Sequence, residues 1–253
     1  MLDEKKYWRA EITYRRDLSP DLWIVRARLP APFPFRPGQY ATLALEDEGG
    51  IHERPYSIVS GPHESELEFF LELVPQGEVT PLLYRLQPGD AVWVRRAAKG
   101  LFQLDRKSGH GRHLMVATVT GLAPFLSMLR TFAADRAQAE HHRFLLLAAA
   151  SRSWEFGYRE ELLRLAAQLP SLTPVFAISR CWEDTAWTGE RGRAEDLVRK
   201  YADAAGFVAG ETTAYLCGHP GMIANVKGIL TRAGFEKKAI REEIYWIPGK
   251  AGA

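Results

Sequence analysis

Cysteine is scarce in this chain of 253 residues, which has only Cys181 and Cys217. Two thiols so far apart cannot by themselves ligate zinc or an iron–sulfur cluster, and in a reducing compartment they need no disulfide. Any redox chemistry therefore needs an organic cofactor, and no metal site is expected. Long apolar runs are missing too. The longest, Phe144 to Ala150, is far too short to cross a bilayer. The opening MLDEKKYWRAEI carries charges where a signal peptide would need an apolar stretch, so the expectation is a cytoplasmic protein with no membrane association. Excess charge is also absent. Lys and Arg number 33 against 31 Asp and Glu, and nothing in that balance calls for nucleic acid as a partner. There is no internal repeat and no low-complexity tract.

What is present is an ordinary globular composition, 46% hydrophobic and 25% charged, long enough to favour two domains. The halves differ in grammar. Up to about Asp105, short segments are separated by turn signals, PAPFPFRPG at 30–38, DEGG at 47–50, SGPHES at 60–65 and QPGD at 87–90. Such spacing predicts an antiparallel β-barrel or sandwich over residues 1–106. Leu67, Phe69, Leu71 and Leu73 alternate with Glu66, Glu68, Phe70 and Glu72, the pattern of a half-buried strand with one mostly carboxylate face. RKSGHGR at 106–112 reads as a linker. Beyond it, MVATV at 115–119, FLLLAAA at 144–150, PVFAIS at 174–179 and AYLCG at 214–218 are unbroken apolar runs separated by helical patterns. That alternation predicts an α/β domain over residues 112–253, a parallel sheet wrapped by helices.

Candidate binding residues fall into both halves. Arg54 and Tyr56 share a strand face by period 2. A guanidinium fork there suits a phosphate, and the ring suits a flat aromatic ligand. Taken alone, RPYS reads first as a strand running into a turn. Downstream, PQGEVTPLL at 75–83 places Gly77, Thr80 and Pro81 around a helix start, where amides and a hydroxyl can hold a pyrophosphate. In the second half, Val119-Thr120-Gly121-Leu122 joins the first parallel strand to its helix, another place for a dinucleotide pyrophosphate. Arg152 and Arg180 each follow a serine at a predicted strand end.

RPYS at 54–57, PGQ at 37–39, GEVTPLL at 77–83, TGLAPFLSMLR at 120–130, SR at 179–180, CGHPGM at 217–222 and EEIYW at 242–246 occur in one order. Together they resemble the bacterial-type ferredoxin–NADP reductases, or flavodoxin reductases, over roughly Tyr7 to Trp246. The resemblance implies an FAD-binding barrel followed by an NADP-binding domain. It implies that hydride passes from NADPH to flavin N5 and that electrons then pass to ferredoxin or flavodoxin. It places Arg54 on the FAD pyrophosphate, Tyr56 on the isoalloxazine and Ser57 near N5. Pro55, Gly77, Glu78, Val79, Thr80, Thr120, Tyr245 and Trp246 complete the cofactor set. It assigns the nucleotide to Thr120, Gly121, Leu122, Arg152, Ser179, Arg180, Arg193 and Gly218, with Arg191 competing with Arg193 for the 2′-phosphate. Ser57, Cys217 and Glu243 become the catalytic group, and Cys181 receives no role.

The chain departs from the family pattern at Val119, where glycine is usual, and it continues past the terminal aromatics as Ile-Pro-Gly-Lys-Ala-Gly-Ala. The carriers are acidic, which would suit cations such as Arg15, Arg16, Arg95, Arg96, Lys99, Lys237 and Lys238. The expected state is monomeric. Three alternatives share the two domains: an oxygenase-reductase component, a free-flavin reductase, and a non-catalytic flavin-binding electron-transfer subunit. The first of these often carries an added ferredoxin domain with a cysteine cluster, which two cysteines cannot supply.

Overall fold

The structure is a computed structural model describing residues 2–105 and 107–245. It divides into two compact units. Among the described residues, one comprises those up to Gln103 together with Ala123–Thr131, and the other comprises Leu104–Leu122 and residues 132–245.

In the first unit, β1 (Tyr7–Asp17), β2 (Leu22–Arg28), β3 (Tyr40–Asp47), β4 (Gly50–Ser57), β5 (Leu67–Glu72) and β6 (Ala91–Arg95) form one sheet ordered β4-β3-β6-β1-β2-β5. Every neighbouring pair is antiparallel. The sheet curls back on itself beyond β4, where the Val59 amide donates to the Glu68 carbonyl of β5 at 2.9 Å. This is the expected barrel. Alternate residues of each strand fill its interior, among them Ile12, Trp23, Val25, Leu43, Phe69 and Val94, because period-2 patterning turns every second side chain inward. The short helix α1 (Thr80–Arg85) adds Val79 and Leu83 to that core. Arg15 closes its C-terminal end. Its guanidinium donates to the carbonyls of Tyr84 and, at 2.8 Å, Leu86, and lies 4.8 Å from the Tyr84 ring centroid.

The second face of β5 differs from its expected exposed carboxylate row, for Glu68 and Phe70 are only 2% and 5% exposed. Residues 123–131 of helix α2 (Ala123–Ala134) belong to this unit. They bring Arg130 to within 2.8 Å of Glu68, which Arg26 also meets at 2.6 Å. Beside this cluster the Ser127 hydroxyl donates to the Ser60 carbonyl at 2.6 Å. Burial alone would raise the Glu68 carboxyl, but Arg130 and Arg26 together hold it below its ordinary range.

The second unit is a parallel sheet ordered β10-β9-β8-β7-β11-β12. The four apolar runs form β7 (Arg112–Thr118), β8 (Arg143–Ala150), β9 (Leu172–Ile178) and β11 (Thr212–Gly218), while β10 (Glu190–Arg191) and β12 (Ile240–Ile244) are the edges. After β7 the chain builds outward through β8 and β9, then returns to place β11 on the other side of β7. Order therefore reverses at β7 and β11, and ligands of open α/β sheets bind at the strand C-termini at such a reversal. Short α3 (Arg136–Ala139) precedes β8, and α4 (Arg159–Gln168), α5 (Ala194–Ala204) and α6 (Pro220–Arg232) complete the helices. A core including Val116, Leu147, Val198, Leu216, Ile223 and Val226 joins sheet and helices. Among the described residues no helix is long and apolar enough to cross a membrane.

Candidate functional site

In the barrel unit, β4 pairs with β3 so that Arg54 lies opposite Leu43, and Tyr56 opposite Ala41. Their shared face is thereby set by register. Tyr56 packs half-buried against the barrel core, and that burial pushes its phenol well above the ordinary value, against the pull of Arg54. The Tyr56 ring is thus a neutral apolar surface at any physiological pH. Ser57 ends the strand, 7% exposed.

Arg54 donates to the Glu53 carbonyl at 2.8 Å and to Glu78 at 2.7 Å. Glu78 is 59% exposed, so the pair is a surface one of small net value, about 0.2–1 kcal/mol, and is readily exchanged for a stronger anion. Beside Arg54 opens a cleft of about 230 Å3, lined also by Tyr40, Thr42, Glu53, Arg95 and Lys99. Arg95 is committed to Glu53 through contacts of 2.8 and 2.5 Å, which leaves Arg54 and Lys99 as the cations for a ligand. The volume falls below the roughly 300–1,000 Å3 of whole-ligand pockets, and the donor set suits the anionic fragment of a larger molecule.

The 74–80 turn is tied to itself. The Thr80 hydroxyl accepts from the Val74 amide at 2.9 Å and donates to the Val74 carbonyl at 3.2 Å, while Gly77 is packed against Val74. Thr80 therefore shapes the turn, and Val79 sends its side chain into the core. What this segment offers a ligand is backbone amides, which a helix start leaves without intrahelical partners.

In the α/β unit, the loops leaving β7 and β11 meet at the reversal point. A Cβ on Gly121 would lie 2.3 Å from the Cys217 carbonyl, and one on Gly218 would lie 2.2 Å from the Thr118 hydroxyl. That hydroxyl accepts from the His219 amide at 2.7 Å. These two glycines are thus required by contact between loops. Val119, two positions before Gly121, has φ +44° and is the single non-glycine with positive φ among the described residues, a strained state for a β-branched side chain.

Cys217 lies opposite Glu243 in the β11–β12 register and is fully buried. Burial first and the Glu243 charge second push its thiol well above the ordinary value, with Tyr245 pulling the other way. The Tyr245 hydroxyl donates to the Thr120 carbonyl at 3.3 Å. Thr120, Cys217, Glu243 and Tyr245 therefore gather at one point, around a thiol held neutral. Trp246 lies outside the described residues.

At the C-terminal ends of β8 and β9 the two expected arginines also meet. The Arg180 amide donates to the Ser151 carbonyl at 2.9 Å, and the Ser179 amide to the Ala150 carbonyl at 3.0 Å. Arg152 bonds Glu183 at 2.6 Å and Glu155 at 3.2 Å, and Arg180 lies 3.6 Å from Glu183. Arg193 stands at the start of α5, where its amide donates to Asp196 at 3.1 Å, and its side chain is 72% exposed. Arg191 reaches the Trp187 carbonyl at 3.3 Å.

Comparison with known proteins bears on both units. Residues 9–103 match the Oxidoreductase FAD-binding domain family, and residues 115–228 match the Oxidoreductase NAD-binding domain family. The chain is 31% identical over 199 residues to the flavodoxin/ferredoxin–NADP reductase of Shigella flexneri, covering 77% of this chain and 78% of that one. The chain belongs to the flavodoxin/ferredoxin–NADP reductase family. Members of this family are FAD-dependent oxidoreductases, as the two domain matches require. A second relative, the reductase component DmpP of phenol 2-monooxygenase from Pseudomonas sp. (strain CF600), is 29% identical over 249 residues, which is 97% of this chain and 67% of that protein. In fold, the chain superposes on the ferredoxin NADP+ reductase of Neisseria gonorrhoeae, solved with FAD and NADP, with a TM-score of 0.84 at 22% identity, over 95% of this chain and 99% of that one.

Two features of this reductase site were beyond sequence reasoning. Glu183 carries no motif, and its position depends on how the 180–184 turn closes. Arg15, expected among the surface cations, has a side chain only 6% exposed, since it caps α1.

Proposed function

We propose that the chain passes electrons between NADPH and a one-electron carrier, ferredoxin or flavodoxin, through bound FAD. The observation that carries this reading is the gathering of Thr120, Cys217, Glu243 and Tyr245 where the sheet order reverses. Bound FAD supplies the exchange between two-electron nicotinamide chemistry and single-electron carriers. The remaining work belongs to this chain's side chains, with residues 1–106 holding FAD and residues 112–253 the nucleotide.

The barrel residues fit an FAD, because Arg54 and Lys99 supply cations for its pyrophosphate beside a cleft of the right size for that fragment. Amides of Glu78, Val79 and Thr80 add donors while Gly77, whose own amide is held by the Val74 carbonyl at 2.8 Å, shapes the turn that presents them; Tyr56 with Pro55 gives the apolar face for the flavin ring, and Ser57 donates to the ring edge. On the other unit, Thr120, Gly121, Leu122 and Gly218 shape the floor for the nicotinamide nucleotide. Ser179, Arg180 and Arg152 hold its 2′-phosphate with Arg193 at the margin, since planar guanidiniums bind phosphate bidentately. Cys217, as a neutral thiol, supplies a close, unreactive wall, while Glu243 holds a proton or balances charge. Tyr245, held to the Thr120 carbonyl, lines the same floor.

A carrier with acidic surface would meet the exposed barrel cations Arg16 and Arg96, whereas Arg15 is held by the carbonyls at the end of α1 and Arg95 by Glu53. Similarity to the monooxygenase reductase component supports a second reading, in which the acceptor is the ferredoxin or iron–sulfur partner of an oxygenase. The test is NADPH-driven reduction by the FAD-loaded protein of ferredoxin, flavodoxin and free flavin in parallel. Fast reduction of either protein carrier is expected. Reduction of free flavin alone would make the chain a flavin reductase, and flavin retention with no acceptor reduced would make it a non-catalytic subunit.

A further inference from the structure

We infer that Glu183 sets how strongly this site prefers a phosphorylated over an unphosphorylated ribose. The inference rests on the reading of Arg152 and Arg180 as the 2′-phosphate pair. Glu183 bonds Arg152 at 2.6 Å and lies 3.6 Å from Arg180, so one carboxylate already holds both guanidiniums. A second carboxylate, Glu155, reaches Arg152 at 3.2 Å while its other oxygen accepts from the Ser151 amide at 2.8 Å. The cluster therefore sets two cations against two carboxylates, with no surplus positive charge to attract a phosphate.

The placement of Glu183 is built, not incidental. Its amide donates to the Arg180 carbonyl at 3.0 Å, which closes the turn. The next residue, Asp184, is 9% exposed and accepts from the Ser153 amide at 2.9 Å, pinning that turn to the loop after β8. Glu183 itself remains 35% exposed at its side chain, open to an incoming ligand. A 2′-phosphate must displace this carboxylate or bind against its charge. A ribose 2′-hydroxyl meets no such competition and can donate to Glu183, as ribose hydroxyls do to acidic side chains in other dinucleotide sites.

The test is calorimetric binding of 2′,5′-ADP and 5′-AMP to the FAD-loaded protein and to its Glu183→Gln and Glu183→Ala variants. At a partly exposed pair the lost competition is worth up to about fivefold. Both variants are expected to bind 2′,5′-ADP about fivefold more tightly than the parent, with 5′-AMP changed less than twofold. If 2′,5′-ADP outbinds 5′-AMP equally in all three proteins, the phosphate site stands and the role of Glu183 is refuted. If the two ligands bind alike in all three, the guanidinium pair is not the phosphate site and the inference falls with it. Tightening of both ligands by the same factor also refutes it, because selectivity would be unchanged.

Discussion

Val119 holds a backbone state meant for glycine, and that gives a test with a reversed sign. Its φ of +44° lies in the left-handed region, where a Cβ collides with its own backbone at a cost of about 1–2 kcal/mol. At an ordinary position glycine is less stable than alanine by about 0.5–1 kcal/mol, because the unfolded chain loses more freedom on folding. Subtracting that penalty from the strain relieved leaves Val119→Gly more stable than Val119→Ala by about 0.5–1 kcal/mol. Comparing these two variants with each other removes most of the uncertainty from losing the half-buried valine side chain. Urea unfolding of the FAD-loaded proteins, or thermal melts with a separation of about 3 °C, would read the difference. Nucleotide binding should follow, since the same residue precedes the Thr120–Gly121 turn. An alanine variant as stable as the glycine variant, or more so, would refute the claim that position 119 stores strain.

Three further outcomes are expected. Arg54→Ala should weaken FAD retention about 100-fold, the loss of roughly 2–3 kcal/mol of charge-assisted hydrogen bonding, while Arg54→Lys should lose less; equilibrium dialysis of the flavin measures both. Iodoacetamide at mildly alkaline pH should label Cys181, which is partly exposed, and spare Cys217, which is buried with its thiol pushed up; peptide mass mapping that finds Cys217 alkylated first would contradict the neutral-thiol assignment. His113 is wholly buried, with its Nε2 2.8 Å from His142 Nδ1. Burial first, then the charges of His142 and His110, hold its imidazole down at about 3. The unfolded chain takes up this proton near pH 6.5. Stability is therefore full above that value and declines below it by about 1.4 kcal/mol per pH unit until about pH 3. Urea midpoints that do not fall between pH 6.5 and pH 5 would show that His113 is solvated.

Much of this architecture is legible in the chain because both halves obey simple periods. Arg54 and Tyr56 share a face by alternation alone, and the four apolar runs named four strands of the parallel sheet. Legibility fails where a residue's environment is supplied from far along the chain. Glu68 looks like one of an exposed carboxylate row, yet Arg130, 62 positions away, arrives on α2 and makes it a buried ion pair. Arg152 and Arg180 could be picked out because each follows a serine at the end of an apolar run. Glu183 could not, since only the closed turn at 180–184 aims it at both. Gly121 and Gly218 are expected binding residues from the motifs they sit in, and the structure gives them a different physical need, the close approach of two loops. Val119 stood out as a substitution, but its left-handed backbone is visible only in coordinates.

The central claim is that this chain moves electrons from NADPH into a bound flavin. The most direct measurement is an anaerobic titration of the FAD-loaded protein, following the visible flavin absorbance as NADPH and, separately, NADH are added. The account predicts that NADPH bleaches the flavin at near-stoichiometric amounts. A flavin that stays bound and oxidised in the presence of either nucleotide would contradict it.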